Sequence, residues 1–305
     1  MLLIIYEILP LLLLIMVGMG VRKLANIHPV VLASLLIFVA TPTVVFLGAY
    51  NLKLSIGLVL LPAIIFSIAI IFALLTERFT RGWWDDGTHR LLAISVGTAN
   101  TGYFGLPMCV AILGPDALPI AVMYMFGQTL FENTLGYYLA ARHQHSSREA
   151  RGKLLKLPSV YALILGLLLN YFHVELLDTV QSTLNLLRGI YTPLGMMIIG
   201  ATLMGLSGFK FDFKYMAALL ANKMIIWPAV IIGLIILDYN LFNLFTHEVY
   251  AVLLIQSIAP AAANSAAFAA QFNMHPQKAG LGVLISTLSA VVYVPFVGSY
   301  LISFL

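Results

Sequence analysis

Apolar residues run through this chain in long blocks, with polar residues gathered in short intervals between them. By length and hydropathy the blocks predict ten helices, at roughly 6–21, 30–49, 57–75, 90–113, 118–141, 157–173, 186–205, 214–237, 248–270 and 279–303. Each can cross a hydrocarbon core of about 30 Å, the first and sixth only with help from tilt or flanking residues. Spans four and nine carry a polar interruption near their middle, and it is the same short phrase. Ala99-Asn100-Thr101 followed by Phe104 recurs as Ala263-Asn264-Ser265 followed by Phe268, 164 residues later at every position. Such a break is costly in a membrane, because freed backbone groups meet no water there.

Composition turns this pattern into a class. The chain is 61% hydrophobic and 9% charged, with a mean hydropathy of +1.00. A soluble protein of 305 residues cannot bury that much apolar surface. An all-α integral membrane protein is expected, with no separate soluble domain; its longest polar connection, 142–156, is read as a cytoplasmic loop. Cys109 is the lone cysteine, so no internal disulfide forms. The pI of about 9.1 is accounted for by basic loops on one membrane face, and no nucleic-acid partner is expected. The first block has Glu7 before it and Arg22 and Lys23 after it, which is not the order of a cleaved signal.

Charge then orients the spans. Of the 16 basic residues, Arg22, Lys23, Arg78, Arg81, Arg90, Arg142, Arg148, Arg151, Lys153, Lys156, Lys210, Lys214 and Lys278 fall on one side. Lys53 and Arg188 fall on the other, and Lys223 stays inside a span. The positive-inside rule makes the first side cytoplasmic and leaves both termini outside, in a multi-pass cell (cytoplasmic or inner) membrane protein.

The interruption belongs to a longer repeat. Leu9-Pro10 with Gly18 answers Leu157-Pro158 with Gly166, Thr41-Pro42 answers Thr192-Pro193, and Pro62-Ala63 answers Pro228-Ala229. The offsets are 148, 151 and 166, followed by the 164 of the repeated phrase, in unbroken order. The halves are 1–141 and 157–305, joined by the loop 142–156. Five spans per half is an odd number, so the second half is inverted relative to the first, as in many secondary transporters. The plainer reading is that prolines simply recur in membrane helices.

Around the first interruption, Gly102, Gly105 and Pro107 weaken helix; before the second stands Pro260. If both helices unwind, two half-helix N-termini face a central cavity, where their partial positive charge favours an anion. Asn100 and Asn264 would add amide donors, and Thr101 and Ser265 hydroxyls. The bland alternative is that such residues bond neighbouring helices.

The stretch Asn100-Thr101-Gly102-Tyr103-Phe104-Gly105-Leu106-Pro107 resembles the first crossover motif of the auxin efflux carrier family, and the resemblance extends along essentially the whole chain. More distantly the chain resembles the bile acid–sodium symporters. The resemblance implies two inverted five-helix repeats, a scaffold of spans one, two, six and seven, and a transport domain of the other six that moves as an elevator. It also implies carboxylate-binding crossover asparagines at Asn100 and Asn264, a basic residue at Lys223 five before Pro228, and a polar position at Gln128. Homodimerisation through the scaffold is a further implication.

Two charges lie at membrane depth. Lys223 sits about ten residues into span eight, roughly 14 Å deep at 1.5 Å per residue. It either pairs with a transported carboxylate or bonds carbonyls freed by Pro228. Glu132 shares a helical face with Tyr124 and Gln128, and is a candidate for proton coupling or for neutralising Lys223. The seven histidines lie in loops or at membrane edges, no group has metal-ligand spacing, and no cofactor is expected.

The reading that follows is a permease, a secondary transporter of a small organic anion such as malate, malonate or an auxin-like acid, coupled to H+, Na+ or neither. A carrier-fold sensor without net transport is the alternative. A membrane-embedded enzyme would need a nucleophile–base or metal pair at depth, and the sequence offers none.

Overall fold

A computed structural model describes residues 2–27, 29–52, 55–141, 158–204, 211–272 and 274–302. The connection 142–156, with five of the basic residues that orient the chain, lies outside them, as do Lys53 and Lys210. Every described element is helical, with no strand among the described residues. The first half contains α1 (Leu2–Leu24), α2 (Pro29–Leu35), α3 (Thr41–Tyr50), α4 (Ile56–Thr80), α5 (Thr88–Gly97), α6 (Leu106–Leu113), α7 (Leu118–Phe131) and α8 (Tyr137–Ala141). The second contains α9 (Pro158–Tyr171), α10 (Asp178–Gly189), α11 (Tyr191–Met204), α12 (Phe213–Ala221), α13 (Trp227–Leu237), α14 (His247–Ser257), α15 (Ala263–Gln271) and α16 (Pro276–Ile302).

Helical stretches follow the apolar blocks, with one addition. Ile56–Thr80, Thr88–Leu113, Phe213–Phe242 and Pro276–Val294 are each long and apolar enough to cross a membrane. The addition is α10, a separate helix with no buried residue, in a region that hydropathy divides between a loop and the start of the seventh block. Its alternation of polar and apolar positions lets it lie on a surface without entering a core.

Several helices continue through a wide i→i+5 turn. Leu36–Ala40 leads into Thr41-Pro42, Thr101–Gly105 into Leu106-Pro107, and Asn222–Ile226 into Trp227-Pro228. In each case proline is the second residue of the resumed helix. Proline has no N–H to give and its ring crowds the carbonyl one turn back, and the wider turn relieves both problems. Pro107 therefore begins α6 and does not itself break span four.

The same close contact occurs twice. α1 packs along α11, and α9 along α3. A β-carbon on Gly18 would run into the Met197 carbonyl oxygen, and one on Gly166 would lie 2.7 Å from the Phe46 carbonyl oxygen. Both glycines let two backbones meet, as small residues do between membrane helices. Gly18→Val and Gly166→Val are each expected to destabilise the detergent-solubilised protein by about 1–3 kcal/mol, the usual cost of overpacking. Thermal unfolding measures it.

On one face, three connections are tied together. Lys278 Nζ lies 3.2 Å from Asp86 and 3.0 Å from Asp212, and donates to Thr88 Oγ1 at 2.8 Å. Trp84 Nε1 donates to Asp212 at 3.0 Å. Burial opposes ionisation of Asp86, but hydrogen bonds from Thr88 and Lys278 outweigh it and hold its carboxyl down at about 2. The network thus stays charged at any physiological pH, joining the starts of α5, α12 and α16.

Candidate functional site

Both interrupted helices unwind close to the repeated phrase, the first at Ala99-Asn100 and the second just before its copy, which forms the first turn of the resumed helix. α5 ends at Gly97, and Thr98 is extended. Asn100 is non-helical and its Oδ1 accepts from the Tyr103 N–H at 3.2 Å, which caps the turn Thr101–Gly105. α14 ends at Ser257, and helix resumes only at Ala263. The two unwound segments cross: the Asn100 N–H donates to the Pro260 carbonyl at 2.8 Å. The Ala261 N–H donates to Ser286 Oγ at 3.1 Å, so backbone groups freed by unwinding are satisfied within the protein.

Beside the crossing lies a cavity of about 280 Å³. Ala99 to Tyr103 and Ala262 to Asn264, with Phe268, supply one wall. Met125, Gln128, Thr129 and Glu132 supply a second, and Thr41, Ser159 and Tyr191 a third. The N-terminal turns after both breaks open on it, and each carries the partial positive charge of a helix start.

The polar groups at this wall are unevenly satisfied. Asn264 Nδ2 donates to Glu132 Oε2 at 2.6 Å. Asn100 Nδ2 and both amide atoms of Gln128 are buried with no hydrogen-bond partner among the described residues. Buried polar groups in proteins are nearly always bonded, so these three atoms leave hydrogen-bonding capacity at the cavity that water or a ligand can fill.

Of the candidate residues in the sequence, Asn100, Thr101, Gly102, Gln128, Glu132 and Asn264 converge on this cavity. Gly102 lets the chain pass the Tyr191 hydroxyl, and Gly105 lets it pass the Gln256 side chain. Three others stand elsewhere. Ser265 Oγ donates back to the Ala262 carbonyl at 2.7 Å and does not line the cavity. Pro260 contributes only its carbonyl to the crossing. Lys223 is 2% exposed and donates to the Val96 carbonyl at 3.0 Å and to the Thr98 carbonyl. Its ammonium closes the C-terminal end of α5, where carbonyls lose their helical partners, and is not part of the cavity wall. The bonded carbonyls belong to span four and are not those released by Pro228. Tyr124 is fully buried in the apolar core.

Tyr103, Thr41, Ser159, Tyr191 and Thr129 also line the cavity, and sequence reasoning does not single them out. Thr41-Pro42 and Tyr191-Thr192-Pro193 stand at corresponding places in the two halves, a usable signal that reads more simply as helix bending.

An all-helical, apolar chain with two unwound helices crossing beside a polar cavity defines a membrane transport protein in the general sense. Residues 3–297 match the family described as membrane transport protein, and the chain belongs to that family, the one that includes the auxin efflux carriers. It is 24% identical over 279 residues to an uncharacterised transporter of Methanothermobacter thermautotrophicus, covering 87% of this chain and 86% of that protein. It is 26% identical over 186 residues to an uncharacterised transporter of Methanocaldococcus jannaschii, covering 58% of this chain and 60% of that protein. The chain is thus a multi-pass membrane protein of a transporter family.

Proposed function

We propose that this protein is a secondary carrier of a small organic anion, bound at the crossing of the two broken helices. The observation that carries the reading is the pair of buried amide donors, Asn100 Nδ2 and Gln128 Nε2, with no partner among the described residues, at a cavity on which two helix N-termini open. A carboxylate would accept from both amides and from the N-terminal turns. The cavity volume of about 280 Å³ lies just below the usual range for drug-sized ligands, about 300–1,000 Å³, and suits a small organic acid.

The mechanism in this reading is alternating access by an elevator step. Two inverted five-helix repeats are supported by the duplicated contact: Gly18 and Gly166 are 148 apart and their partners Met197 and Phe46 are 151 apart, as in the paired Leu-Pro and Thr-Pro motifs. The scaffold is α1, α3, α9 and α11 and the transport domain holds the crossing. Thr41, Ser159 and Tyr191 then form the fixed wall past which the anion moves. Ser159 closely follows the basic segment 142–156, which supports a cavity facing the cytoplasm and termini on the far side of the cell membrane.

Uptake of labelled malonate, malate and indole-3-acetate into proteoliposomes tests this. Saturable uptake of the two short acids is expected, and the indole acid serves as the larger comparison. Gln128→Met should lower uptake roughly tenfold while leaving the thermal midpoint unchanged or raised, since it removes an orphaned amide. Binding of malonate without flux would point to a sensor, and neither binding nor flux would end the anion reading.

A further inference from the structure

A cavity built to attract an anion already contains one carboxylate. Glu132 stands on its wall, 6% exposed, with no ion pair within 4.0 Å among the described residues. Its partner is Asn264 Nδ2 at 2.6 Å. Asn264 is one of the two crossover amides. One of the cavity's amide donors is therefore held by a carboxylate of the protein itself.

The surroundings give Glu132 no directly bonded counter-charge among the described residues. The titratable groups facing it are Lys223 from the turn before α13, Tyr103 from the turn after the first break, and Tyr191 from α11. Lys223 is committed to the Val96 and Thr98 carbonyls. The Tyr191 hydroxyl bonds Met125 Sδ at 3.4 Å, and neither tyrosine supplies positive charge. Two carboxylates confined to one small cavity do not both stay ionised.

We propose that Glu132 is an internal competitor for the anion site, so that substrate binds only with Glu132 protonated and each anion crosses with one proton. Ionised, Glu132 occupies the Asn264 amide and repels the incoming acid. A proton taken from the aqueous side onto the Glu132 carboxyl removes the repulsion. The Asn264 N–H then turns to the substrate oxygen. Releasing the anion on the far side lets Glu132 lose the proton and take back the amide. The proposal rests on the anion reading and adds to it both the co-substrate and the residue that carries it.

Glu132→Gln imitates the protonated state permanently. With labelled malonate in proteoliposomes, wild-type protein should accumulate substrate under an inward proton gradient and lose this with a protonophore. Its apparent affinity should fall about tenfold per pH unit in the alkaline range, the limit for one linked proton. Glu132→Gln should bind malonate with an affinity that varies by less than about twofold across the same pH range, and should show no proton-driven accumulation. In weakly buffered detergent solution at pH 8, malonate binding should take up roughly one proton in wild type and none in the variant. Glu132→Ala should give the same flat profile and serves if the glutamine variant is not recovered. Proton-driven accumulation that survives either substitution, or wild-type exchange indifferent to pH, overturns the proposal while leaving the anion carrier intact. Failure of wild type to bind or exchange any short carboxylate overturns both.

Discussion

Asn100→Asp is expected to give a stably folded protein that carries no anion. Asn100 does three separate things. Its backbone N–H holds the Pro260 carbonyl, its Oδ1 caps the Tyr103 N–H, and its Nδ2 stands unpartnered at the cavity. Aspartate keeps the first, since that is main chain. It keeps the second equally well, because a carboxylate is among the best N-caps and suits a helix start. Only the third changes: the donor is lost, and the new carboxyl shares the cavity with Glu132, so that the pair holds a single charge. Losing one hydrogen bond to a charged group costs about 1.5–3 kcal/mol, or roughly 10- to 150-fold in affinity, and repulsion between like charges adds to it. Flux should fall by at least about 100-fold, and burying a carboxyl in place of a neutral amide should lower the thermal midpoint by no more than about 5 °C. Asn100→Ala separates the roles differently, losing the cap as well and with it about 1 kcal/mol of stability. Uptake rates and thermal unfolding of the two variants together check the assignment. Wild-type flux in Asn100→Asp would mean that Nδ2 does not meet the substrate.

The importance of Asn100 is legible in the sequence, for a physical reason. A helix in hydrocarbon is so strongly favoured that a polar, glycine-rich phrase inside one stands out, and its second copy at Asn264 marks the partner. Apolar length locates the helices for the same reason. What stays hidden depends on distances across the fold. Glu132 and Asn264 are far apart in the chain, and nothing in either segment says that they bond. Thr41, Ser159 and Tyr191 reach the cavity only because α3, α9 and α11 pack against the crossing side, and each reads locally as an ordinary residue near a proline. Helix α10 escapes a hydropathy reading because its polar face lowers its mean, so its last residues merge with the next apolar block. Ser265 shows the limit of reasoning from symmetry. It copies Thr101 in sequence, but an unwound carbonyl one turn back, that of Ala262, takes its hydroxyl.

Lys223 separates depth from direction, and its substitution should affect stability far more than substrate affinity. Its depth follows from counting residues into the span, but the direction of its side chain depends on where α5 stops. The end of that helix leaves carbonyls facing hydrocarbon depth with no water to satisfy them. The ammonium answers Val96 and Thr98 and lies 5.7 Å from the centre of the Trp227 ring, whose face adds cation–π attraction. In Lys223→Met both carbonyls lose their donor, at about 1–3 kcal/mol each, and relief from burying a charge returns part of that. A net loss of about 2–4 kcal/mol is expected, lowering the thermal midpoint by roughly 5–10 °C. Protein that remains folded should bind malonate with a KM within about threefold of wild type, because the cavity wall is untouched. Uptake kinetics corrected for folded protein, set beside thermal unfolding, decide the matter. A KM raised a hundredfold in a variant of normal stability would put the ammonium on the substrate after all, with the hydrogen bonds to α5 describing only the empty state of the carrier.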